Sequence, residues 1–412
     1  MDLDLRLLDD GDADAFAELD DAAFAVRSTP EQRAQSLATL EWPATIGAFE
    51  GGQLRGVTSS FDQQLTLPGG ARVPVAGVTA VGVLPTHRRR GILSALMARQ
   101  LDEVAASGRA LAVLNASEAT IYRRFGYGVA SRYQSVRVDR ARSSFAQPPE
   151  AGWSVRLVDD AEAVELGPVH YEALLARQVG GLTRPDAFWP AIFGPTQTWV
   201  GGGEHFTVVA EAPAGEPRPG GYALYKVRRD HPAGHWVTVV DEVVAADPAA
   251  EAVLWRYLLD LDLTDALECS AAPLDDPLPW RLVDWRAYQV RSQSDFLWVR
   301  LLDPRAALAA RAYGAPDRLV LELRDAFRPA TAGRYQVTAA QAGELGGVEV
   351  VSTDQPPDLE LDVADLGSLY LGDTTASTLA RAGRLAPASP EVLGRADRFF
   401  ATERLPFCLT RF

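Results

Sequence analysis

VGVLPTHRRRGILS, residues 81–94, is the most informative segment of this 412-residue chain. Its β-branched beginning predicts the end of a strand, and the residues after Arg90 predict a helix that continues to about Ala106. A strand that turns directly into a helix exposes the unpaired backbone N–H groups and the partial positive charge of the helix N-terminus. Such an end binds a diphosphate, and Gly91 would let the diphosphate approach closely because it has no Cβ.

Three consecutive arginines, Arg88 to Arg90, stand directly before this glycine. A guanidinium group can pair with two phosphate oxygens through parallel hydrogen bonds. The alternative interpretation is a solvated basic turn that binds nothing. The strand–turn–helix context and a second, altered copy of the same pattern later in the chain favour the phosphate site over that alternative.

Around this segment, residues 1–145 predict a mixed α/β domain. The predicted elements, in order, are a helix over 9–25, strands over 45–49, 56–67 and 73–83, the helix over 90–106, a strand over 111–114, a helix over 118–124 and a strand over 131–138. Two glycines, Gly69 and Gly70, predict the turn between the second and third strands.

A proline-containing stretch, residues 143–152, predicts a linker, after which the pattern of the first domain repeats. The strand-to-helix turn over 237–250 parallels the one over 78–91, which indicates an internal duplication. The second copy lacks the arginines and the glycine. It has Asp247 and Glu251 at its helix start, where they would repel a phosphate, so we expect a degenerate copy.

The last part of the chain, from about residue 301, predicts a small α+β domain. Its first helix has Pro304 in the first turn. Strands are predicted over 319–324, 334–338, 347–352 and 359–363, and helices follow over 363–371, 377–383 and 389–400. The chain closes on the apolar segment LPFCLTRF, residues 405–412. Chain ends are usually frayed and polar, so this one indicates either a last strand of the domain or a terminus docked against the protein.

The formal net charge is −15 at pH 7. Nucleic-acid binders normally carry a basic surface that offsets phosphate charge, so this balance argues against that class. An acidic surface suits a cationic substrate such as an amine, although acidity also serves solubility alone. No apolar run of about 18 residues predicts a membrane span, and the first residues lack a secretory signal. We therefore expect a cytoplasmic protein with no membrane partner.

Cysteine and histidine are too sparse to predict a metal site. The two cysteines are far apart, which rules out a CxxC pair and a disulfide framework. His231 and His235 are four residues apart, but Pro232 and Gly234 between them argue against a shared helical face. We therefore expect no metal.

Residues 88–93 resemble motif A of the GNAT superfamily of N-acetyltransferases, whose pattern is Arg/Gln-x-x-Gly-x-Gly/Ala. Leu93 stands where the superfamily has a small residue. More specifically, the segment 81–93 resembles the Eis (enhanced intracellular survival) acetyltransferases, as do NASE over 115–118 and IYRRFGYG over 121–128. The three-part layout and the final Arg-Phe pair fit that family too, so the resemblance covers essentially the whole chain.

The resemblance implies α/β and α+β folds in three domains. They would be a catalytic, acetyl-CoA-binding acetyltransferase domain over 1–145, a degenerate acetyltransferase-like domain over 153–298, and a sterol-carrier-like domain over 299–412 that supplies the C-terminal carboxylate. The resemblance also implies a homohexamer, for which coiled-coil heptads give no independent support.

The resemblance further implies which residues form the site. Acetyl-CoA, as co-substrate, would be bound by residues of the strand, of the helix start and of the far wall of the cofactor cleft. These residues are Val81, Gly82, Val83, Arg89, Arg90, Gly91, Ile92, Leu93, Ser94, Ser117 and Glu118. Tyr122 would be the general acid that protonates the leaving thiolate, and the carboxylate of Phe412 the general base that takes a proton from the amine. Tyr127, in the same motif, is expected to be a packed aromatic residue.

The resemblance thus implies an acyltransferase that moves acetyl from acetyl-CoA to primary amines, with an aminoglycoside-like polycation as the expected acceptor. Two alternatives stay open: a protein lysine acetyltransferase, and a non-catalytic sensor that binds acyl-CoA or lipid. Release of free thiol in the presence of an amine separates the enzyme from the sensor.

Overall fold

The computed structural model describes residues 3–194, 205–230 and 234–412. His231, considered above as a metal ligand, lies outside them. The chain forms two compact units, one of residues 1–131, 295–403 and 411–412 and one of residues 132–294 and 404–410. Among the helices of the described ranges, none combines the length and the apolar composition of a membrane span. In the same ranges, no group of three or more His, Cys, Asp or Glu side chains could hold a metal ion.

The first unit contains a seven-stranded sheet and, further along the chain, a five-stranded one. The seven strands, in spatial order, are β1 (Asp4–Leu7), β2 (Ile46–Glu50), β3 (Gln53–Thr66), β4 (Arg72–Val83), β5 (Leu111–Asn115), β14 (Leu297–Leu301) and β6 (Gly128–Val129). Among these strands, β4 and β5 run parallel and the other neighbours are antiparallel. The predicted turn joins β3 to β4, and both Gly69 and Gly70 have positive φ there.

Helices cover both faces of this sheet. They are α1 (Ala13–Phe24), α2 (Pro30–Thr39), α3 (Ile92–Ala106) and the single turn α4 (Ala119–Tyr122). α3 packs on Ile46 and Ala48 of β2, whereas Phe16 of α1 packs with Val57 of β3 on the opposite face. The early helix predicted over 9–25 is confirmed, with a 3₁₀ turn over its first residues.

Sheet membership departs from the contiguous domain ranges 1–145 and 153–298. The strand Arg132–Asp139 (β7) lies in the sheet of the second unit, and β14 lies in the first sheet between β5 and β6. All five residues of β14 are buried. β6 has only two residues, so it could not pair along the whole of β5. Without β14, the edge of β5 would therefore be largely unpaired. Pairing along strand edges, and not continuity of the chain, decides where these two strands lie.

The second unit contains a sheet whose strands, in spatial order, are β13 (Tyr288–Asp295), β7, β12 (Thr264–Ala272), β11 (His235–Ala245), β10 (Gly221–Asp230), β9 (Phe206–Glu211) and β8 (Ser154–Val158). Its helices are α5 (Asp160–Leu175), α6 (Phe188–Phe193), α7 (Pro248–Asp260) and α8 (Leu278–Arg281). As in the first sheet, a central strand, β11, runs parallel to its neighbour, β12, and leads into a helix, α7. This repeated arrangement agrees with the internal duplication that the sequence predicts.

The rest of the first unit forms the predicted α+β domain around the five-stranded sheet. Its strands, in spatial order, are β17 (Val348–Ser352), β16 (Gly333–Ala339), β15 (Asp317–Arg324), β18 (Leu359–Asp362) and β19 (Leu385–Pro387). Its helices are α9 (Pro304–Ala309), α10 (Val363–Tyr370), α11 (Ala376–Arg381) and α12 (Pro390–Phe400). β15 and β18 run parallel, and the other neighbours are antiparallel.

α10 packs directly against the seven-stranded sheet. All eight of its residues are buried, and it approaches β6 so closely that a Cβ on Gly128 would lie 1.8 Å from the Ala364 carbonyl oxygen. Asp365 of the same helix pairs with Arg123 at 2.8 Å and with Arg384 at 2.7 Å. Because Arg123 directly follows α4, these contacts tie α4 to the C-terminal domain.

Gly128→Ala should destabilise the protein by about 3 kcal/mol, because the added methyl group would meet a backbone carbonyl that cannot rotate away. Gly346→Ala is the matched control, since a Cβ there would meet no atom within 4 Å. Thermal or denaturant unfolding measures the difference. Equal stability of both variants and the parent protein would contradict the packing of α10 on β6.

Candidate active site

β4 and β5 lie side by side only near their beginnings. Residues 75–77 of β4 pair with residues 111–113 of β5. Among the described residues, β4 has no further strand partner on that side from Val78 to Val83, so its backbone N–H and C=O groups there face an opening between the two strands. An extended ligand can lie in such an opening and use these groups as an added strand would.

A β-bulge in β4 accompanies this divergence. Val57 of β3 lies opposite Gly82 but Ser59 lies opposite Thr79, so β4 has one residue more than β3 over this stretch. Ala80 in the bulge has φ +48°, which is unusual for a residue with a Cβ. A bulge bends its strand and redirects the backbone groups that follow. The three residues after Ala80, which belong to the set predicted to hold acetyl-CoA, therefore run along the free edge.

The turn between β4 and α3 uses two residues in the left-handed region. Arg89 has φ +64° and Gly91 has φ +84°, and Gly91 is the N-cap residue of α3. The first helical hydrogen bond runs from the Ala95 N–H to the Gly91 carbonyl, which leaves the N–H groups of residues 92–94 without helical partners. A Cβ on Gly91 would meet no atom within 4 Å, so the space beside this helix start is open.

The three arginines of the turn are exposed and differ in their contacts. Arg88 donates to the Ala23 carbonyl at 3.2 Å, and Arg90 lies 3.6 Å from Glu50. No side-chain partner of Arg89 is found in the part of the chain that the structure describes. Of the three, its guanidinium group therefore has the fewest contacts with other side chains or carbonyls, and it is available to an anionic ligand.

The other predicted residues of the helix start have different surroundings. Ile92 is buried in the core, Leu93 is half-buried against the cluster that α3 forms with the sheet, and Ser94 is exposed. Ile92 and Leu93 can therefore serve a polar ligand only through their backbone N–H groups, whereas Ser94 also offers its hydroxyl.

Tyr122 is almost fully buried, with 5% of its surface exposed. It packs with Val78 of β4 and Leu114 of β5, just beyond the last paired residues of the two strands. Burial raises the pKa of its phenol to about 12, and the nearby Glu118 carboxylate adds to the shift. No hydrogen-bond partner of its hydroxyl is found among the described residues. The phenol is thus protonated at neutral pH and available as a donor.

Tyr127 and the turn after β5 complete this side of the opening. Tyr127 is fully buried, and its ring meets the Tyr122 ring edge-on with centroids 6.1 Å apart, so it is a packed aromatic residue, as the sequence predicts. Ser117 and Glu118 are exposed in the turn between β5 and α4. Both therefore lie on the β5 side of the opening.

The final residue docks against the first sheet, and residues 405–412 form no strand. The Phe412 N–H donates to Asn115 Oδ1 at 3.3 Å. Its ring meets the Phe61 ring edge-on, with centroids 6.3 Å apart, and covers Gly77, where a Cβ would come within 3.2 Å of it. Of the two alternatives for this apolar segment, the structure therefore shows the docked terminus.

Tyr122 and Phe412 lie on opposite faces of the sheet. Phe61 is directly opposite Gly77 in the β3–β4 ladder, so both point to one face, and the Phe412 ring lies there. Tyr122 packs with Val78 on the other face, where α3 lies. Neighbouring strand residues such as Gly77 and Val78 point to opposite sides. The opening between β4 and β5 thus has a phenol on one side and the chain terminus on the other.

No role for Asn115 or Gly77 follows from the sequence patterns above, although both contact Phe412. Asn115 is the only asparagine among the 412 residues, which is the signal that could have drawn attention to it. A glycine inside a strand marks a close approach of another group, and this rule applies to Gly77.

The second unit's copy of the turn has lost the features that favour an anion. Asp247 is the N-cap residue of α7 and accepts from the Ala249 N–H at 2.8 Å. Arg218 pairs with the same carboxylate at 2.9 Å. A carboxylate therefore occupies the helix N-terminus that a phosphate would need, which agrees with the predicted degenerate copy.

Comparison with protein families confirms the order of folds along the chain. A model of the acetyltransferase (GNAT) domain matches residues 4–130, a second model with the same description matches residues 180–301, and a model of the sterol carrier protein domain matches residues 304–409. Two acetyltransferase-type folds followed by a sterol-carrier-like fold are therefore shown.

Individual relatives agree with this result. The N-acetyltransferase Eis of Mycobacterium tuberculosis is 37% identical over 87% of this chain and 85% of its own length. An uncharacterized N-acetyltransferase of Streptomyces avermitilis is 38% identical over 99% of both chains. The crystal structure of Eis1 from Mycobacterium abscessus matches with a TM-score of 0.87 and 36% identity, over 99% of this chain and 100% of that one. The chain therefore belongs to the Eis family of GNAT-type N-acetyltransferases.

Proposed function

We propose that the chain transfers the acetyl group of acetyl-CoA to a primary amine of a small, aminoglycoside-like polycation. The observation that carries this proposal is the strand–turn–helix unit at residues 81–94, in which open N–H groups and an uncommitted Arg89 adjoin the free edge of β4. Membership of the Eis family supports an amine acceptor. The net charge of −15 favours a cationic one through long-range attraction.

The cofactor would follow the path from helix to strand. Its diphosphate would accept hydrogen bonds from the N–H groups of residues 92–94 and from Arg89 and Arg90. The pantetheine amides would pair with the free edge over residues 81–83, which brings the thioester to the place where β4 and β5 diverge. A β4 N–H there would stabilise the negative charge that develops on the thioester carbonyl oxygen. The turn after β5 would bound the other side.

Two proton transfers accompany the reaction. The amine nitrogen attacks the thioester carbon, and the C–S bond then breaks. Tyr122 would donate its proton to the leaving thiolate, and its buried phenol stays protonated until well above the ordinary thiol pKa of about 8.5. The Phe412 carboxylate would accept the proton that the attacking amine loses, directly or through water. Their placement on opposite faces of the sheet lets both transfers occur without competition for space.

The C-terminal domain would serve packing rather than lipid transport. Its fully buried α10 lies on β6 and β14, so an apolar helix of the sterol-carrier-like fold is used for docking. A protein lysine is the alternative acceptor, and it would use the same site, so a comparison of acceptors decides between them. The homohexamer and the cytoplasmic location stay predictions.

Amine-dependent release of free thiol from acetyl-CoA, with tobramycin as the test acceptor, is the experiment that tests this proposal. In that assay Arg89→Glu should raise KM for acetyl-CoA about tenfold to a hundredfold, because it replaces a charge-assisted contact with repulsion. The value of kcat should stay within about twofold, since the contact is made equally in the ground and transition states.

Arg291→Glu is the matched control for this variant, because it makes the same charge change at an exposed residue of β13. It should leave KM for acetyl-CoA unchanged. If intact, folded protein takes up no CoA in calorimetry, or if thiol release does not depend on the amine, the proposal is wrong.

A further inference from the structure

We infer that Asn115, together with Gly77 and Phe61, forms a socket that positions the terminal residue, so that Asn115 is a positioning residue for the acetyl transfer. This inference rests on the proposed function, because it needs the Phe412 carboxylate to act as the base. The sequence patterns assign no role in the reaction to Asn115, Gly77 or Phe61.

Asn115 uses both ends of its amide. Its Oδ1 accepts from the Phe412 N–H at 3.3 Å, and its Nδ2 donates to the Phe296 carbonyl at 3.3 Å. Phe296 directly precedes β14, the strand that pairs with β5. The second hydrogen bond turns the amide so that its oxygen faces the chain terminus. One side chain at the end of β5 therefore joins the terminus to two neighbouring strands of the sheet.

The ring of Phe412 is held separately. A Cβ on Gly77 would lie 3.2 Å from this ring and 2.0 Å from Gln63 Oε1, so a side chain there would displace the Gln63 amide and crowd the ring. Phe61, directly opposite Gly77 in the ladder, meets the ring edge-on. The missing side chain at residue 77 thus leaves space that the Gln63 amide and the edge of the Phe412 ring share.

Two points of attachment fix the direction of the terminal group. The backbone N–H of Phe412 is held by Asn115 and its ring by Phe61 and Gly77, and neither contact uses the carboxylate. An asparagine suits the first attachment because it is neutral and carries a donor and an acceptor. An aspartate would lose the donor to Phe296 and would place a second negative charge near the terminal carboxylate.

The kinetic test uses Asn115→Leu, which has a similar size and removes both hydrogen bonds. We expect kcat at pH 7 to fall about tenfold to a hundredfold, with KM for acetyl-CoA within about twofold. The loss should shrink at about pH 9.5, because more of the amine is then already deprotonated and needs no base. A variant that is merely less stable would lose activity to a similar extent at both pH values.

A double-mutant cycle shows whether Asn115 acts through Phe412. If it does, Asn115→Leu should lower kcat no further in protein that lacks Phe412. A second readout does not depend on activity or on the folding of the Leu variant. Protein labelled with nitrogen-15 at asparagine alone has one side-chain amide, since Asn115 is the only asparagine, and deletion of Phe412 should shift its resonances.

The outcomes separate this inference from the proposed function. Wild-type kcat in Asn115→Leu, additive losses in the cycle, or an amide signal unmoved by the deletion would each overturn the socket. If instead the deletion of Phe412 leaves kcat at the wild-type value, the assignment of the base is wrong, and with it the reason for the socket. Non-additive losses together with a shifted amide signal support both.

Discussion

Thiol release by the Tyr122→Phe protein should be slower than that of the parent by about a hundredfold to a thousandfold in kcat, with KM for acetyl-CoA within about twofold. The substitution removes the proposed proton donor and leaves the ring in the buried cluster that also contains Val78 and Leu114. In the proposed reaction the phenol acts in its protonated form, and burial raises its pKa to about 12. The phenol can therefore donate its proton below that pH and has already lost it above that pH. The parent's kcat should thus show no decline from this group between about pH 7 and pH 10.

Tyr127→Phe is the matched control for the loss of a tyrosine hydroxyl. The Tyr127 hydroxyl is buried and has no hydrogen-bond partner among the described residues, so its removal breaks no contact of the site. We expect kcat to change by less than about threefold. A Tyr122→Phe protein as active as Tyr127→Phe would show that another group protonates the thiolate.

With the proposed mechanism, deletion of Phe412 should lower kcat at pH 7 about a hundredfold, because the attacking amine then has no positioned base. Acetyl-CoA should still bind with its usual affinity, since the deleted residue lies on the face of the sheet opposite α3. Calorimetry with CoA and the thiol-release assay measure the two quantities separately. A loss of both would indicate misfolding of the first sheet rather than loss of a base.

One added glycine after Phe412 separates the ring from the carboxylate. The extension keeps the N–H and the ring of Phe412 in place and moves the carboxylate onward by one residue. We therefore expect the extended protein to lose about as much kcat as the deletion, whereas Phe412→Tyr should retain most of it. An extended protein with parental activity would rule out the terminal carboxylate as the base.

Elements defined by local chemistry were predictable. The helix predicted over 90–106 spans Ile92–Ala106, and its N-cap residue Gly91 has a positive φ that glycine adopts without a steric penalty. α2 lies outside the predicted elements, although Thr29 and Gln32 form a capping box at its start. Its weakly apolar sequence gives no clear periodic pattern, and only the cap identifies it.

The sequence alone determined the strand–turn–helix order and the arginines of residues 81–94, the acidic residues of the duplicated turn, and the apolar nature of the chain's end. Each of these depends on residues within about one helical turn of one another, where backbone sterics and charge act directly. The tertiary structure alone decided that β14 completes the first sheet, and that Asn115 contacts a residue 297 positions away. A strand edge or an amide can pair with many partners of similar chemistry, so the choice among them depends on how the whole chain packs.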